Sequence, residues 1–398
     1  MPGLIQMLSD YELKEYIDKT GMQNLWQVER DYLQHIILRA IYSKVSKGTV
    51  FKGGTALQKL GIVDRFSIDL DFTSSLDDEE FSGLIGYVSG YLNDLGLKNN
   101  YSFDGNVGDN AGGINANLKI EGPHFIETKS ESAKAVIKLQ ISRREEVLLG
   151  QKAERISPVY KDIPPYVASV MHMEEVAAEK VRAIMTREKP RDVYDLSLLI
   201  RKGYPLHEFI VRKKLEGYAK FSMGGFESAV ENKKASWEAE LKNLLYKQGI
   251  LAAFPKSEDA KVAILDFFKN NISLTAEFDT AGPGVESGKG RRLIANRLAA
   301  LNDDVKIESG HIYLPFNAKI NAFFYNRSEH VSLELYKNGN SIIGPIASDS
   351  ITFPKSIDSI GYSIGAEEGS DLYFQIFVEK NAATVQKEVY ASIILKKH

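Results

Sequence analysis

The sequence predicts an α+β protein: a mixed sheet packed with helices, then a helical region, then an all-β C-terminal part. Three observations carry this. Strand-type and helix-type runs alternate between residues 48 and 156, apolar residues recur at helical spacing from about 166 to 270, and short β-type runs separated by turn signals follow residue 305. A chain of 398 residues can bury a sizeable core and hold two or three domains. The expected division is 1–165 for the N-terminal helices and the α/β core, and 166–280 for a helical domain completing the site. A linker is expected at 281–304 and a small β-sandwich or barrel at 305–398.

Taken in order, Ser9 or Asp10 can cap a first helix, and Trp26 to Val45 carries apolar residues at helical spacing until Lys47-Gly48 ends the run. A helix is expected near 78–95, a Gly/Asn-rich stretch lies at 104–117, and Lys134 to Ser142 reads as a strand. Residues 169–188 read as a helix broken by Pro190. Arg191 to Arg201 makes a second helix, stopped by Gly203, and more helices follow to about 270. The Gly/Pro/Ser-containing stretch 281–290 reads as an interdomain loop. Beyond it, Ile312-Tyr313-Leu314, Val331 to Tyr336, Tyr373 to Val378 and Val389 to Leu395 are β-type, with turn signals such as Lys337-Asn338-Gly339-Asn340 between them. Nothing in this last part looks catalytic.

One window concentrates the chemistry. Phe51-Lys52-Gly53-Gly54-Thr55-Ala56-Leu57 is followed by Arg65-Phe66-Ser67-Ile68-Asp69-Leu70-Asp71-Phe72. At a strand's period of two, Asp69 and Asp71 project from the same face, roughly 6–7 Å apart along the backbone. Two like charges held so close repel, and hard divalent cations that also coordinate phosphates relieve the repulsion. The glycine pair lets the backbone approach a ligand, and the helix start after it offers free amide donors to anions. A second window lies in the helical pair. Lys180 and Arg187 are seven residues apart on one helix face, and the next helix opens with Arg191 and Asp192 and sets Asp195 on the face of Asp192. Lys180 can hold phosphate oxygens, with Asp192 or Asp195 orienting it.

Composition excludes other chemistries. With no cysteine, neither disulfides nor a thiol nucleophile nor a zinc-thiolate site is possible. His124, His172 and His311 lack metal-ligand spacing and read as surface or packing residues. No stretch approaches about 20 uninterrupted apolar residues, and the N-terminus lacks a signal pattern, so a cytoplasmic protein without a membrane span is expected. Gly284-Val285-Glu286-Ser287-Gly288-Lys289-Gly290 approaches a P-loop but is one residue short, has Gly290 where a hydroxyl should bind Mg²⁺, and reads as a loop. The net charge of -3 gives no global pull toward nucleic acid. A local basic rim of Arg143, Arg144, Lys152 and Arg155, with Arg212, Lys213 and Lys214, is the candidate RNA surface.

Together, Gly53-Gly54-Thr55-Ala56-Leu57, Arg65 to Phe72, Ala178-Glu179-Lys180-Val181-Arg182-Ala183, Arg187 and Arg191-Asp192-Val193-Tyr194-Asp195-Leu196 resemble the AbiEii/AbiGii toxin family of DNA polymerase β-type nucleotidyltransferases. Order and spacing match across about residues 25 to 205. The resemblance implies a nucleotidyltransferase fold and Mg²⁺-dependent (or Mn²⁺-dependent) nucleotide transfer from a nucleoside triphosphate. It also implies the toxin half of a toxin–antitoxin or abortive-infection pair with a cognate antitoxin; some family members modify the acceptor end of tRNA, so an RNA acceptor is expected. Carried over by position, Gly54 and Thr55 contact phosphate, with Gly53, Arg65, Ser67 and Arg187 also binding the nucleotide. Asp69 and Asp71 hold metal, and Lys180, Asp192 and Asp195 complete the pocket. One departure stands out: the family fold supplies a third carboxylate from a neighbouring strand, and Val136 to Ser142 offers Gln140 there. An amide cannot activate a hydroxyl as a carboxylate does. A protein or small-molecule acceptor, or a non-catalytic nucleotide-binding module, therefore stays open at this level.

Overall fold

The computed structural model describes residues 7–45, 48–104, 112–144, 146–278, 291–297, 306–308, 311–314, 317–326, 331–338, 340–343, 358–378 and 389–397. The P-loop-like stretch 284–290 lies outside them. Helix α1 (Asp10–Thr20) opens with a capping box in which Ser9 and Glu12 satisfy each other's backbone amides. Asn24 caps α2 (Leu25–Lys44), which is buried along most of its length and carries Asp31, Gln34 and His35 into the interior.

The chain then alternates. Strand β1 (Thr49–Lys52) runs directly into the short helix α3 (Gly53–Lys59), followed by β2 (Leu70–Ser74), α4 (Asp78–Asp94), β3 (Asn99–Asp104), β4 (Ile114–Ile120), α5 (Pro123–Thr128), β5 (Ala135–Ser142), β6 (Gln151–Ile156) and β7 (Tyr166–Met171). The seven strands form one sheet in the order β3-β4-β5-β2-β1-β7-β6. It is mixed: β2 runs parallel to β5 and β1 parallel to β7, while β1 and β2 are antiparallel. The alternating burial of Ile114 to Ile120 and of Ala135 to Ser142 shows why these runs form strands with one face on the core.

Helices α6 (Met173–Thr186) and α7 (Pro190–Arg201) follow, with Pro190 opening the second. The helix expected from 169 begins at Met173, because Tyr166 to Met171 pairs as β7 with β6; β-branched Val167 and Val170 suit that strand. Helices α8 (Glu208–Leu215), α9 (Met223–Asn232), α10 (Trp237–Leu241), α11 (Lys247–Ala252) and α12 (Ser257–Asn270) complete the helical region.

A second sheet starts at once with β8 (Asn271–Phe278), and β9 (Arg291–Arg297) lies within the stretch expected as a linker. Only Leu293-Ile294-Ala295 is apolar there, too short a run to signal a strand by itself. Strands β10 (Lys306–Glu308), β11 (His311–Tyr313), β12 (Ala318–Asn326), β13 (Val331–Lys337), β14 (Asn340–Ile343), β15 (Asp358–Ala366), β16 (Asp371–Val378) and β17 (Val389–Lys397) join them. Every pairing in this sheet among the described residues is antiparallel. Among the described residues no helix is long and apolar enough to cross a membrane.

Two buried histidines tie the fold to pH. His35 on α2 bonds through Nδ1 to the Tyr166 hydroxyl at 2.9 Å, and His207 stands buried before α8. Burial holds each imidazole down to about 3. In the unfolded chain an imidazole takes its proton near pH 6.5, so between pH 6.5 and 3 the unfolded state binds more protons and stability falls as pH falls. Denaturant unfolding at pH 7 and pH 5 is expected to show a loss of about 2 kcal/mol per buried histidine, and His207→Leu removes one such share.

Candidate active site

The acidic pair sits where three strands meet. In β2, Asp71 pairs with Lys52 of β1 on one side and with Gln140 of β5 on the other, and Gln140 pairs in turn with Asn115 of β4. The position expected to supply a third acid is therefore an amide corner, with Gln140 Nε2 donating to Asn115 Oδ1 at 3.4 Å. Asp69 stands one residue before β2, and its backbone is held from behind. Buried Thr55 donates its hydroxyl to the Asp69 carbonyl. Gln34 Nε2 donates to the Ser67 and Ile68 carbonyls at 2.9 and 2.7 Å, and Gln58 Oε1 accepts from the Ser67 amide at 2.8 Å.

Burial raises the Asp71 pKa, and the Asp69 charge raises it further against the pull of Lys52, Lys180 and Arg187. Burial also raises Asp69, opposed by Lys138 and Arg191. Gly53 makes the approach possible: its φ is +74°, and a Cβ there would lie 2.5 Å from Asp71 Oδ2. Two half-buried carboxylates, one beside a glycine that leaves room at its oxygens, suit a hard divalent cation whose other ligands are phosphate and water. Among the described residues no three His, Cys, Asp or Glu side chains gather as a metal site, so Asp69 and Asp71 would be its protein ligands.

The second window folds onto the first. Arg65 is buried, and its Nε and Nη2 donate to Asp195 Oδ1 and Oδ2, each at 2.6 Å. Lys180 Nζ lies 2.6 Å from Asp195 Oδ2 and 2.9 Å from Asp192 Oδ1. Arg187, at the C-terminal end of α6, donates to both Asp192 oxygens at 2.8 and 2.9 Å. Burial works to raise the pKa of both aspartates, but Lys180 with Arg187 at Asp192, and Arg65 with Lys180 at Asp195, outweigh it and hold them below the ordinary carboxylate range. Gly54 gives Arg65 its room, since a Cβ there would lie 2.5 Å from Arg65 Nη2 and 2.9 Å from Ser67 Oγ.

These elements enclose a cavity of about 440 Å³. Of the residues singled out from sequence, Gly53, Asp71, Gln140, Arg144, Lys180 and Arg187 line it, and Asp69 is not among its lining residues. Thr55, Arg65, Asp192 and Asp195 are buried and turned to protein partners, so they brace the site from behind. The cavity wall adds Lys52, Glu179 and Arg182, which stood in the quoted motifs without a role assigned to them, and Tyr218, which no motif contained. Lys52 carried a signal, being next to the glycine pair in a strand that faces Asp71. Val176, Glu179, Lys180, Ala183 and Arg187 recur at helical spacing on one face of α6, whereas Arg144 and Tyr218 arrive from loops.

The basic rim is corrected in part. Lys214 is buried, 2.6 Å from Glu175 and 3.2 Å from Glu179, because α8 turns it toward α6. Arg143 donates to the Leu76 carbonyl at 2.7 Å and to Asp78 at 2.5 Å, fastening the start of α4. Lys152 pairs with Glu154 at 2.6 Å, and Arg155 is exposed on β6. Arg144 lines the cavity, while Arg212 and Lys213 border a second one.

The class is that of the nucleotidyltransferases: a family model described as nucleotidyl transferase AbiEii toxin, type IV TA system, matches residues 36–263. That is more than half of the chain, which belongs to the AbiEii toxin family. The family makes it an enzyme using a nucleoside triphosphate and the partner of a cognate antitoxin. Among solved structures it is similar to MenT4, a nucleotidyltransferase toxin from Mycobacterium tuberculosis H37Rv (18% identity, 66% of this chain and 99% of that one, TM-score 0.38). It is also similar to JHP933 from Helicobacter pylori (18% identity, 62% and 94%, TM-score 0.36). A third likeness is the globular domain of zebrafish complement 1qA (17% identity, 32% and 96%, TM-score 0.21). The family assignment rests on the family model, not on these likenesses. No curated protein matches the chain.

Gly53→Ala is expected to lower nucleotide transfer at least tenfold while the folded protein persists, because the added methyl meets the Asp71 carboxylate and a left-handed backbone resists it. Steady-state kinetics alongside circular dichroism check this.

Proposed function

We propose that this chain transfers a nucleotide from a nucleoside triphosphate to a hydroxyl at an RNA end, tRNA included, with Mg²⁺ or Mn²⁺ held by Asp69 and Asp71, as a cytoplasmic toxin restrained by its antitoxin. One observation carries the reading: half-buried Asp71, its pKa raised by burial, lines a cavity whose wall also holds Glu179 and five cations, Lys52, Lys180, Arg182, Arg187 and Arg144, and Asp69 stands just before the same strand. A triphosphate with its metal complements such a division of charge.

In this reading the acceptor oxygen attacks the α-phosphorus in line, the bond to the bridging oxygen breaks, and pyrophosphate leaves toward Gly53 and Gly54. Lys180 and Arg187 meet the growing negative charge, and Asp192 and Asp195 hold them in place. Arg65 and Thr55 act through the residues they brace, and Ser67 through the backbone leading to Asp69. The divalent ion, when bound, lowers the pKa of the attacking hydroxyl and neutralises the leaving group. That role matters because Gln140 takes up no proton, and Glu179, despite burial, is held well below its ordinary range by Lys52 and Lys214. The boundaries 1–165, 166–280, 281–304 and 305–398 stay our proposed division, amended by β7, which belongs to the first sheet, and by β8 and β9, which belong to the second.

The test supplies the purified protein with each α-labelled nucleoside triphosphate, Mg²⁺ or Mn²⁺, and total RNA. Label should enter RNA only with metal present, and Asp69→Ala and Asp71→Ala should each abolish it while thermal unfolding stays near wild type. Label appearing in protein or a small molecule instead, or retained transfer by both variants, overturns the reading. Lys180→Ala should also weaken triphosphate use more than Lys189→Ala, since Lys189 sits at the turn before α7.

A further inference from the structure

A second cavity, of about 550 Å³, is lined by residues 212, 213 and 215–221, from the end of α8 into the turn that follows. Tyr218 lines it and also lines the main cavity. The ring is 46% exposed, and the Arg182 guanidinium lies over it, 5.0 Å from the centroid. Arg182 belongs to the main cavity, so this cation–aromatic stack is the partition between the two spaces.

Hydrogen bonds and packing fix the backbone that carries the ring. The Tyr218 and Ala219 amides both donate to the Leu215 carbonyl, at 2.8 and 3.1 Å, and Gly217 takes φ +80° to allow it. Phe221 is buried against Phe226 and Phe268, with ring centroids 6.0 and 6.2 Å away. Helix α8 is pinned from within by Lys214 on Glu175 and Glu179. Around the second cavity stand three cations, Arg212, Lys213 and Lys220, and one carboxylate, Glu216, which meets Lys213 at 3.4 Å.

We infer that this second cavity is the acceptor subsite: a single-stranded nucleic acid end stacks a base on Tyr218 and lays its phosphates along Arg212, Lys213 and Lys220. Its terminal hydroxyl then enters the main cavity past the Arg182–Tyr218 partition. A rigid aromatic platform with cations beside it is the usual equipment for holding a single strand without reading its sequence. The inference rests on the proposed reading that the acceptor is RNA.

The experiment uses the full chain and a fluorescein-labelled single-stranded oligoribonucleotide with a free 3′ hydroxyl, read by anisotropy across a salt series, together with transfer kinetics. Tyr218→Ala should weaken oligonucleotide binding about tenfold or more, while Tyr218→Phe, which keeps the stacking face, stays near wild type. The triple variant Arg212→Gln, Lys213→Gln, Lys220→Gln should lower the slope of log affinity against log salt by about 2, at roughly 0.7 per contact. It should also raise KM for the oligonucleotide while leaving KM for the triphosphate within about twofold. Wild-type affinity and slope in both Tyr218→Ala and the triple variant would overturn the subsite while leaving an RNA acceptor standing. If the wild-type protein neither binds nor labels RNA, the acceptor reading fails first and the subsite with it.

Discussion

Arg65, buried between the sheet and the helical pair, binds Asp195 through two parallel hydrogen bonds, and the placement of Lys180 and Arg187 in the site follows from that pair. Asp195 and Asp192 share Lys180, and Lys180 and Arg187 share Asp192. The chain of charges therefore runs from the segment before the acidic strand to the end of α6. Removing water from so many ions is costly, and only near-complete mutual pairing offsets it. Losing one member would strand a charge in the interior, a change of about 3–5 kcal/mol in buried pairs of this kind. The same segment is clamped on its other side, where the Phe66 amide donates to the Leu244 carbonyl and the Tyr246 amide to the Asp64 carbonyl.

A second ladder repeats the device. Lys52 meets Glu179 at 3.0 Å, Glu179 meets Lys214, and Lys214 meets Glu175, whose two oxygens accept the Leu148 and Leu149 amides. The first ladder aims Lys180 and Arg187 at the cavity, and the second aims Lys52. Between them burial leaves the acidic pair with raised pKa values, and at Asp71 the Asp69 charge adds to it against the pull of Lys52, Lys180 and Arg187. Charge is thus zoned: anions behind the cations, cations on the wall, and the Asp69–Asp71 pair at one end.

Much of this was legible in the chain. The period of two around Asp69 and Asp71, the glycine pair, and the seven-residue step from Lys180 to Arg187 are local signals, and the structure brings both windows to one cavity. Gln140 was legible as well, because a strand's alternation fixes which of its residues faces the acids. The individual roles were less so. Thr55, Arg65, Asp192 and Asp195 have the residue types of ligand contacts, yet each is turned to a protein partner. Lys214 shows the same gap: adjacent to Arg212 and Lys213 in sequence, it is buried while they border a cavity.

By itself, then, the sequence determined the mixed α/β core, the helical pair, the antiparallel C-terminal strands and the location of the chemistry, because these depend on periodicity and on spacings of a few residues. Tertiary structure alone decided which charges meet. Lys180 and Asp192 come close because a proline-started helix folds back on its neighbour. Lys52 faces Asp71 because of strand register, and Tyr218 reaches the cavity from a turn after α8 that no motif marked. Pairing of charges depends on distances across the fold, which residue spacing along the chain does not encode.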